Sequence, residues 1–334
     1  MPLLEVTEYG IYCEKGDFFI DPWKPVNKAL ITHAHADHAR WGSQKYLAHH
    51  DSLPVLRLRL GENIKVQGIE YGKELTINGI KVTFYPAGHI LGSAQIKVSG
   101  NNETWVVSGD YKLEDDGISA PFEPVKCTHF ITESTFGLPV YQWEKQEKIF
   151  EDLNQWWQSN QQVGKTSVLF AYSLGKAQRL INGLDPKLGK VFLHGAVWNI
   201  IKACHEQYNF KIPLFPVTRE TAKQDFKNQL VVAPPSALGS PWMRKFQPYT
   251  TGIASGWMAV RGQKRRRAVD KGFVMSDHAD WNGLLSAVKA TEAENIYVTH
   301  GYTHIFSRYL SELGYNAHVL ETLFEGENIE EKEG

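Results

Sequence analysis

The apolar run Ala29-Leu30-Ile31-Thr32 leads directly into His33-Ala34-His35-Ala36-Asp37-His38, so four metal-capable side chains fall within six residues at the end of a predicted strand. A fold that accommodates this segment must present a strand tip to a turn. In an extended stretch alternate side chains share a face, which lets His33 and His35 grip one ion while the turn swings Asp37 and His38 toward a second. Imidazole nitrogens with a carboxylate suit zinc, or a borderline metal such as manganese, better than calcium or magnesium.

The pattern H-x-H-x-D-H resembles the signature of the metallo-β-lactamase superfamily. That resemblance implies further ligands at later strand ends. His89 closes the alternating stretch Val82 to Gly88, Asp110 ends Trp105-Val106-Val107-Ser108-Gly109-Asp110, and His300 ends Asn295-Ile296-Tyr297-Val298-Thr299 before Gly301. His33, His35 and His89 are then expected on one metal, Asp37, His38 and His300 on the other, and Asp110 on both. Asp21, in Phe18-Phe19-Ile20-Asp21-Pro22, matches the superfamily's early aspartate and is expected to prop the metal loop.

Composition agrees with a soluble enzyme. The 334 residues and 42% hydrophobic content supply one large or two medium domains. Cys13, Cys127 and Cys204 are an odd number without C-x-x-C spacing, so the reading is a reducing cytoplasm and no disulfide framework. An early charge at Glu5 and the lack of a long apolar run give the expectation of no signal peptide and no membrane span. The net charge of -1 excludes a globally basic nucleic-acid binder but allows a local basic groove.

The early chain reads as β-rich, with hairpin turns at 14–17, 77–80 and 100–102. From about residue 142 the grain changes. Residues 142–158 read as an amphipathic helix, 167–172 as a buried strand, a helix starts near Gly175, and 190–194 looks like another parallel strand. The expectation is α/β: a metallo-β-lactamase αββα sandwich from residues 1–139 and 266–334, with a short α/β domain inserted over 140–265. The end of the chain, from Glu325, reads as a solvated acidic tail.

The inserted region carries a finer resemblance. Ser173-Leu174-Gly175-Lys176-Ala177-Gln178-Arg179 is similar to a segment of the β-CASP nucleases, Ile131-Thr132-Glu133-Ser134-Thr135 resembles their acidic motif A, and Met275-Ser276-Asp277-His278-Ala279-Asp280 resembles their histidine motif B. His300-Gly301 falls where motif C belongs. The overall likeness is nearest to the bacterial DNA ligase-associated exonucleases, although a histidine at motif C resembles the RNA-processing members.

By this resemblance two divalent ions, zinc first and manganese second, activate a hydroxide for phosphodiester hydrolysis. Asp37 is expected to orient or deprotonate the water. His278 is expected on the scissile phosphate as proton donor to the leaving oxygen, with Glu133 fixing its ring; a turn cap is the other reading of Glu133. Ser173, Lys176 and Arg179 lie at a helix start suited to phosphate, or are surface cations. Arg265, Arg266 and Arg267, in the densest basic run, either line a nucleic-acid groove or form a solvated face. Trp242, Trp257 and Trp281 read as core before base-stacking platforms.

The expected function is a metal-dependent DNA exonuclease in repair, with nucleic acid as substrate and DNA ligase or other repair proteins as partners. An RNA-processing nuclease of the RNase J type is the alternative. A non-catalytic β-CASP scaffold fits less well because all seven ligand positions are filled, and a small-molecule hydrolase has no use for the inserted domain.

Overall fold

The structure, a computed structural model, describes residues 2–260 and 269–324. The chain divides into two units, one running to Pro139 and resuming at His278, the other spanning Val140–Asp277.

The first unit is built on two sheets. One takes β1 (Glu5–Val6), β2 (Ile11–Cys13), β3 (Phe18–Ile20), β4 (Lys28–Leu30), β5 (Lys45–His49) and β6 (Val66–Ile69) in that order. The other has the order β19-β18-β11-β10-β9-β8-β7, from β7 (Glu74–Ile77), β8 (Ile80–Pro86), β9 (Ala94–Gly100), β10 (Glu103–Val107), β11 (His129–Ser134), β18 (Asn295–Gly301) and β19 (Asn316–Val319). The three turns read from sequence join antiparallel neighbours. At two of them, Asn78-Gly79 and Asn101-Asn102, both central residues have positive φ, the conformation that matches strand twist in a two-residue hairpin.

Side chains from both sheets, among them Phe18, Leu30, Leu47, Phe84, Ile96 and Ile131, fill one apolar layer. Each fully buried side chain of this size contributes about 1.5–3 kcal/mol of transfer free energy. The opposite side of the second sheet packs Val106, Phe130 and Val298 against α5 (Trp281–Thr291) and α6 (Thr303–Glu312), which bury Leu284, Val288, Phe306 and Leu310. After β5 comes α1 (Leu53–Leu60), which buries Val55, Leu56 and Leu60. The architecture is metallo-β-lactamase-like α/β.

The second unit holds a parallel sheet of order β14-β13-β15-β12-β16-β17. Its strands are β12 (Thr166–Phe170), β13 (Val191–Leu193), β14 (Leu214–Pro216), β15 (Leu230–Ala233), β16 (Tyr249–Ala254) and β17 (Lys271–Phe273). Every residue of β12 and β15 is buried, as expected for strands covered on both faces. Among the described residues its α-helices are α2 (Gln146–Gln162), α3 (Lys176–Asn182) and α4 (Gly195–Ala203).

Two sequence expectations shift here. The helix read over 142–158 runs later, because Tyr141 and Trp143 pack as a ring pair ahead of it, while Asn160 Nδ2 donates to Ser167 Oγ and holds its last turn. The second unit also continues past residue 265, since β17 pairs in register with β16 through Phe273.

Candidate metal centre

Four strand ends deliver the site. β4, β8, β10 and β18 run in the same sense within their sheets, and their carboxyl ends lead to His33–His38, His89, Asp110 and His300. The crevice beyond the carboxyl ends of such strands is where α/β folds place ligands.

Each loop is held by its own bonds. In the first, Ala39 N–H donates to His35 O at 2.8 Å and the Arg59 guanidinium donates to Ala34 O. In the second, Ser93 Oγ accepts from the amides of His89 and Ile90. Gly88 must be glycine: its φ is 72°, and a Cβ there would stand 2.2 Å from Lys112 O. Gly109 presents the third loop under the same constraint, with φ 56° and a Cβ position 2.6 Å from Thr32 Oγ1. His300 itself lies at φ 60°, a strained position for a non-glycine residue, with its carbonyl held by Ser134 Oγ at 2.7 Å.

The resulting cluster is compact. The rings of His33, His35 and His89 stand 4.8–4.9 Å apart. Asp110 Oδ2 is 3.4 Å from His33 Nε2, 3.5 Å from His38 Nε2 and 3.9 Å from His89 Nε2, and its Oδ1 is 3.1 Å from His300 Nδ1. Asp37 Oδ2 approaches His38 Nε2 at 3.7 Å and His300 Nε2 at 3.8 Å. Among the groups of ligand-capable atoms within 4.8 Å of one another, two gather the clustered histidines, His33, His35, His89 and Asp110 on one side and His38, Asp110 and His300 on the other, and a further one joins Asp110 to Glu133 and His278. Asp110 is common to all three.

Electrostatics explains what such a cluster wants. Burial alone would raise the Asp110 carboxyl, but His300, His38 and His278 hold it well below the usual range; Asp37 is lowered against its burial by His38 and His300. Burial alone would lower His38, yet Asp37 and Asp110 lift it well above the ordinary histidine value, and Asp110 and Asp37 likewise raise His300. His33 is different: burial and the neighbouring His38 keep it well below, as a neutral imidazole. Two buried carboxylates therefore draw positive charge into the cluster. The buried Nε2 atoms of His33, His38 and His300 make no hydrogen bond, although buried nitrogens ordinarily find a partner. Divalent cations fit this donor set, supplying both the missing partners and the charge.

Beside the cluster, Asp21 lies against Thr32 and His38. Its carboxylate accepts from Thr32 N at 2.8 Å and Thr32 Oγ1 at 2.5 Å, and lies 2.8 Å from His38 Nδ1, which fixes that ring's tautomer. Glu133 sits where β11 and β18 shift register, a bulge that re-aims its side chain. It lies 2.9 Å from His278 Nδ1 and accepts from Tyr111 N–H at 2.9 Å, so ring support and turn capping are both present. The His278 ring stands 4.6 Å from His89, and Asp280 caps the start of α5 just after it.

Other expected residues go elsewhere. Lys176 and Arg179 are buried at 0% and 1% exposure, so neither is a surface cation. Lys176 Nζ pairs with Asp277 Oδ1 at 3.3 Å and lies over the Tyr172 ring, and Arg179 donates to Gln146 Oε1. Ser173 is half-buried, its carbonyl accepting from Gln178 Nε2. Arg265, Arg266 and Arg267 lie outside the described residues. The three tryptophans read as core do pack: Trp281 on Phe306 and Tyr309, Trp242 on Phe246, Trp257 on Tyr141.

Sequence reasoning missed Arg59, Thr32 and Thr135, whose Oγ1 lies 3.3 Å from His300 Nδ1. Thr32, adjoining His33, and Thr135, two residues after Glu133, were within reach of a local reading; Arg59 touches the site only through the fold. A cavity of about 640 Å³ opens beside His300, lined among others by Trp23, Lys24, Thr303, His304, Thr322 and Phe324.

A "Probable DNA ligase" of Opitutus terrae is 28% identical to this chain over 320 residues, 95% of the chain. The chain spans 31% of that protein's length. "Endoribonuclease YSH1" of Saccharomyces cerevisiae is 32% identical over 123 residues, 36% of this chain and 16% of its own. These alignments accompany the motifs and support the same likeness. The chain is similar to members of the β-CASP nuclease branch of the metallo-β-lactamase superfamily. No family model matches it. The solved structure of a protein of unknown function from Enterococcus faecalis V583 superposes with a TM-score of 0.61 at 12% identity, covering 89% of this chain and 80% of that one, a likeness of fold. No helix among the described residues is long and apolar enough to cross a membrane.

Proposed function

We propose that this chain is a metal-dependent nuclease of the β-CASP type that hydrolyses phosphodiester bonds at DNA ends, in the service of repair. The observation that carries the reading is the pair of ligand groups sharing Asp110, with His278 and Glu133 beside them. We assign His33, His35 and His89 to one ion, Asp37, His38 and His300 to the other, and Asp110 to both. When bound, a pair of divalent ions, zinc before manganese, supplies Lewis acidity toward a phosphate oxygen and makes a water acidic near neutral pH.

The protein's own groups do the rest. Asp37 orients the attacking water and takes its proton. His278, with Nδ1 held by Glu133, uses its other nitrogen to contact the phosphate and protonate the departing oxygen. Asp21 keeps His38 in the tautomer whose Nε2 faces Asp37 and Asp110.

DNA is favoured because the likeness to a probable DNA ligase spans 95% of this chain, which also makes a ligase the proposed partner. RNA processing is the second reading, favoured by the likeness to an endoribonuclease and by the histidine at motif C. End-labelled single- and double-stranded DNA and RNA, with a 5′ phosphate or hydroxyl, are to be incubated with the zinc- and manganese-loaded protein in turn. Progressive shortening of DNA is the expected product. Cleavage of RNA alone would move the assignment to the second reading, and no cleavage of any polymer would remove the nuclease assignment.

A further inference from the structure

The chain that follows β19 returns to the cluster and is fastened on the way. Leu320 N–H donates to Val298 O at 2.9 Å, Thr322 Oγ1 meets Thr299 Oγ1 at 2.6 Å, and Leu323 O accepts from an Arg40 Nη at 3.4 Å. These bonds deliver Phe324 onto His38: the two rings are stacked, 4.5 Å between centroids and 10° from parallel. Behind it, Trp23 meets Phe324 edge-on at 5.8 Å and is itself pinned by Nε1–H to Glu8 O.

His38 is thereby restrained from two directions. Asp21 holds Nδ1 in the ring plane, Phe324 covers one face, and Nε2 is left aimed between Asp37 and Asp110. An in-plane bond alone permits the imidazole to rock about that bond, and a flat neighbour opposes the rocking. The same segment forms part of the wall of the cavity beside His300, so Phe324 stands between that cavity and His38.

We propose that Phe324 is a positioning residue for the centre, clamping the His38 imidazole so that the ion held by Asp37, His38 and His300 is retained more firmly than an otherwise identical cluster would retain it. This rests on the two-metal reading. Its consequence is that the segment Leu320–Phe324, outside every motif in the sequence, sets the retention of one of the two ions.

The test uses the full chain loaded with cobalt, read by visible absorption and by the rate at which a chelator withdraws each equivalent. Phe324→Ala is expected to shift the absorption of one equivalent and release it about tenfold faster, leaving the other unchanged. Phe324→Leu, which fills similar space without a flat face, should behave like Phe324→Ala, and Phe324→Tyr like the parent. Thermal unfolding of the metal-free variants should match the parent, since Phe324 is at the margin of the fold. Two tightly held equivalents with parental spectra and release rates in all three variants would overturn the clamp and leave the two-metal reading standing. Loss in Phe324→Ala but not Phe324→Leu would also overturn it, by assigning the effect to packing. A parent chain that binds no cobalt would remove both.

Discussion

His38 and His278 are supported alike and placed for different work. Each has Nδ1 against a buried carboxylate, Asp21 for one and Glu133 for the other, and His38 points Nε2 toward Asp37 and Asp110. Asp37→Ala or His38→Ala should therefore lower turnover by at least about a thousandfold, with the fold kept by a separate apolar core; near-parental hydrolysis by a purified variant would refute the ligand assignment. His278→Ala should slow turnover about a hundredfold or more with two metal equivalents retained, within the range of a lost general acid. If elemental analysis finds one equivalent missing, His278 and His300 have exchanged roles. Away from the centre, burial and nearby His50 push His49 down to about 4 against Glu70, and its ring is stacked on Tyr71 at 3.5 Å. The folded value lies below the unfolded 6.5, so the unfolded chain takes the proton first, and stability is lost as pH falls from about 6.5 to about 4. Urea unfolding across that window should show His49→Phe with a weaker acid-side decline than the parent.

Among the elements, the strand ends that carry the clustered histidines and Asp110 were the most legible. His33 to His38 follow an apolar strand directly, and His89, Asp110 and His300 each end one, so periodicity and a following turn were enough to find them once the superfamily pattern was seen. The start of α3 misled in the opposite way. Cations after a glycine look solvated from sequence, whereas Lys176 finds Asp277 far along the chain, and no local pattern encodes that pairing. Arg59 and Phe324 are hidden for the same reason, since each meets the site through the fold and not through spacing. Removing the cation opposite a buried carboxylate leaves that charge less compensated, so Lys176→Ala should cost about 3–5 kcal/mol in chemical denaturation. The double variant Lys176→Met/Asp277→Leu should recover much of it. An undiminished midpoint combined with weakened DNA binding would return Lys176 to the substrate role read from sequence.

For the whole molecule, a net charge of -1 gives no general attraction for a polyanion, and the basic run ending at Arg265, Arg266 and Arg267 is the strongest local source of it in the sequence. If it neutralises phosphates, replacing the three by alanine should weaken binding to duplex DNA of any sequence and reduce the slope of log affinity against log salt by about 0.9 for each phosphate left unneutralised. Hydrolysis of a small nitrophenyl phosphodiester should survive. An unchanged salt slope would leave the run a solvated surface. The centre itself is a pair of buried carboxylates drawing in positive charge, set among imidazole nitrogens that lack partners. The most direct measurement is a titration of metal-free protein with zinc, and separately manganese, followed at each point by cleavage of an end-labelled DNA strand. The account predicts no cleavage without metal, full cleavage only as the second equivalent binds, and none at any metal level for Asp110→Ala; cleavage in the presence of excess chelator, or an Asp110→Ala variant that cleaves like the parent, would contradict it.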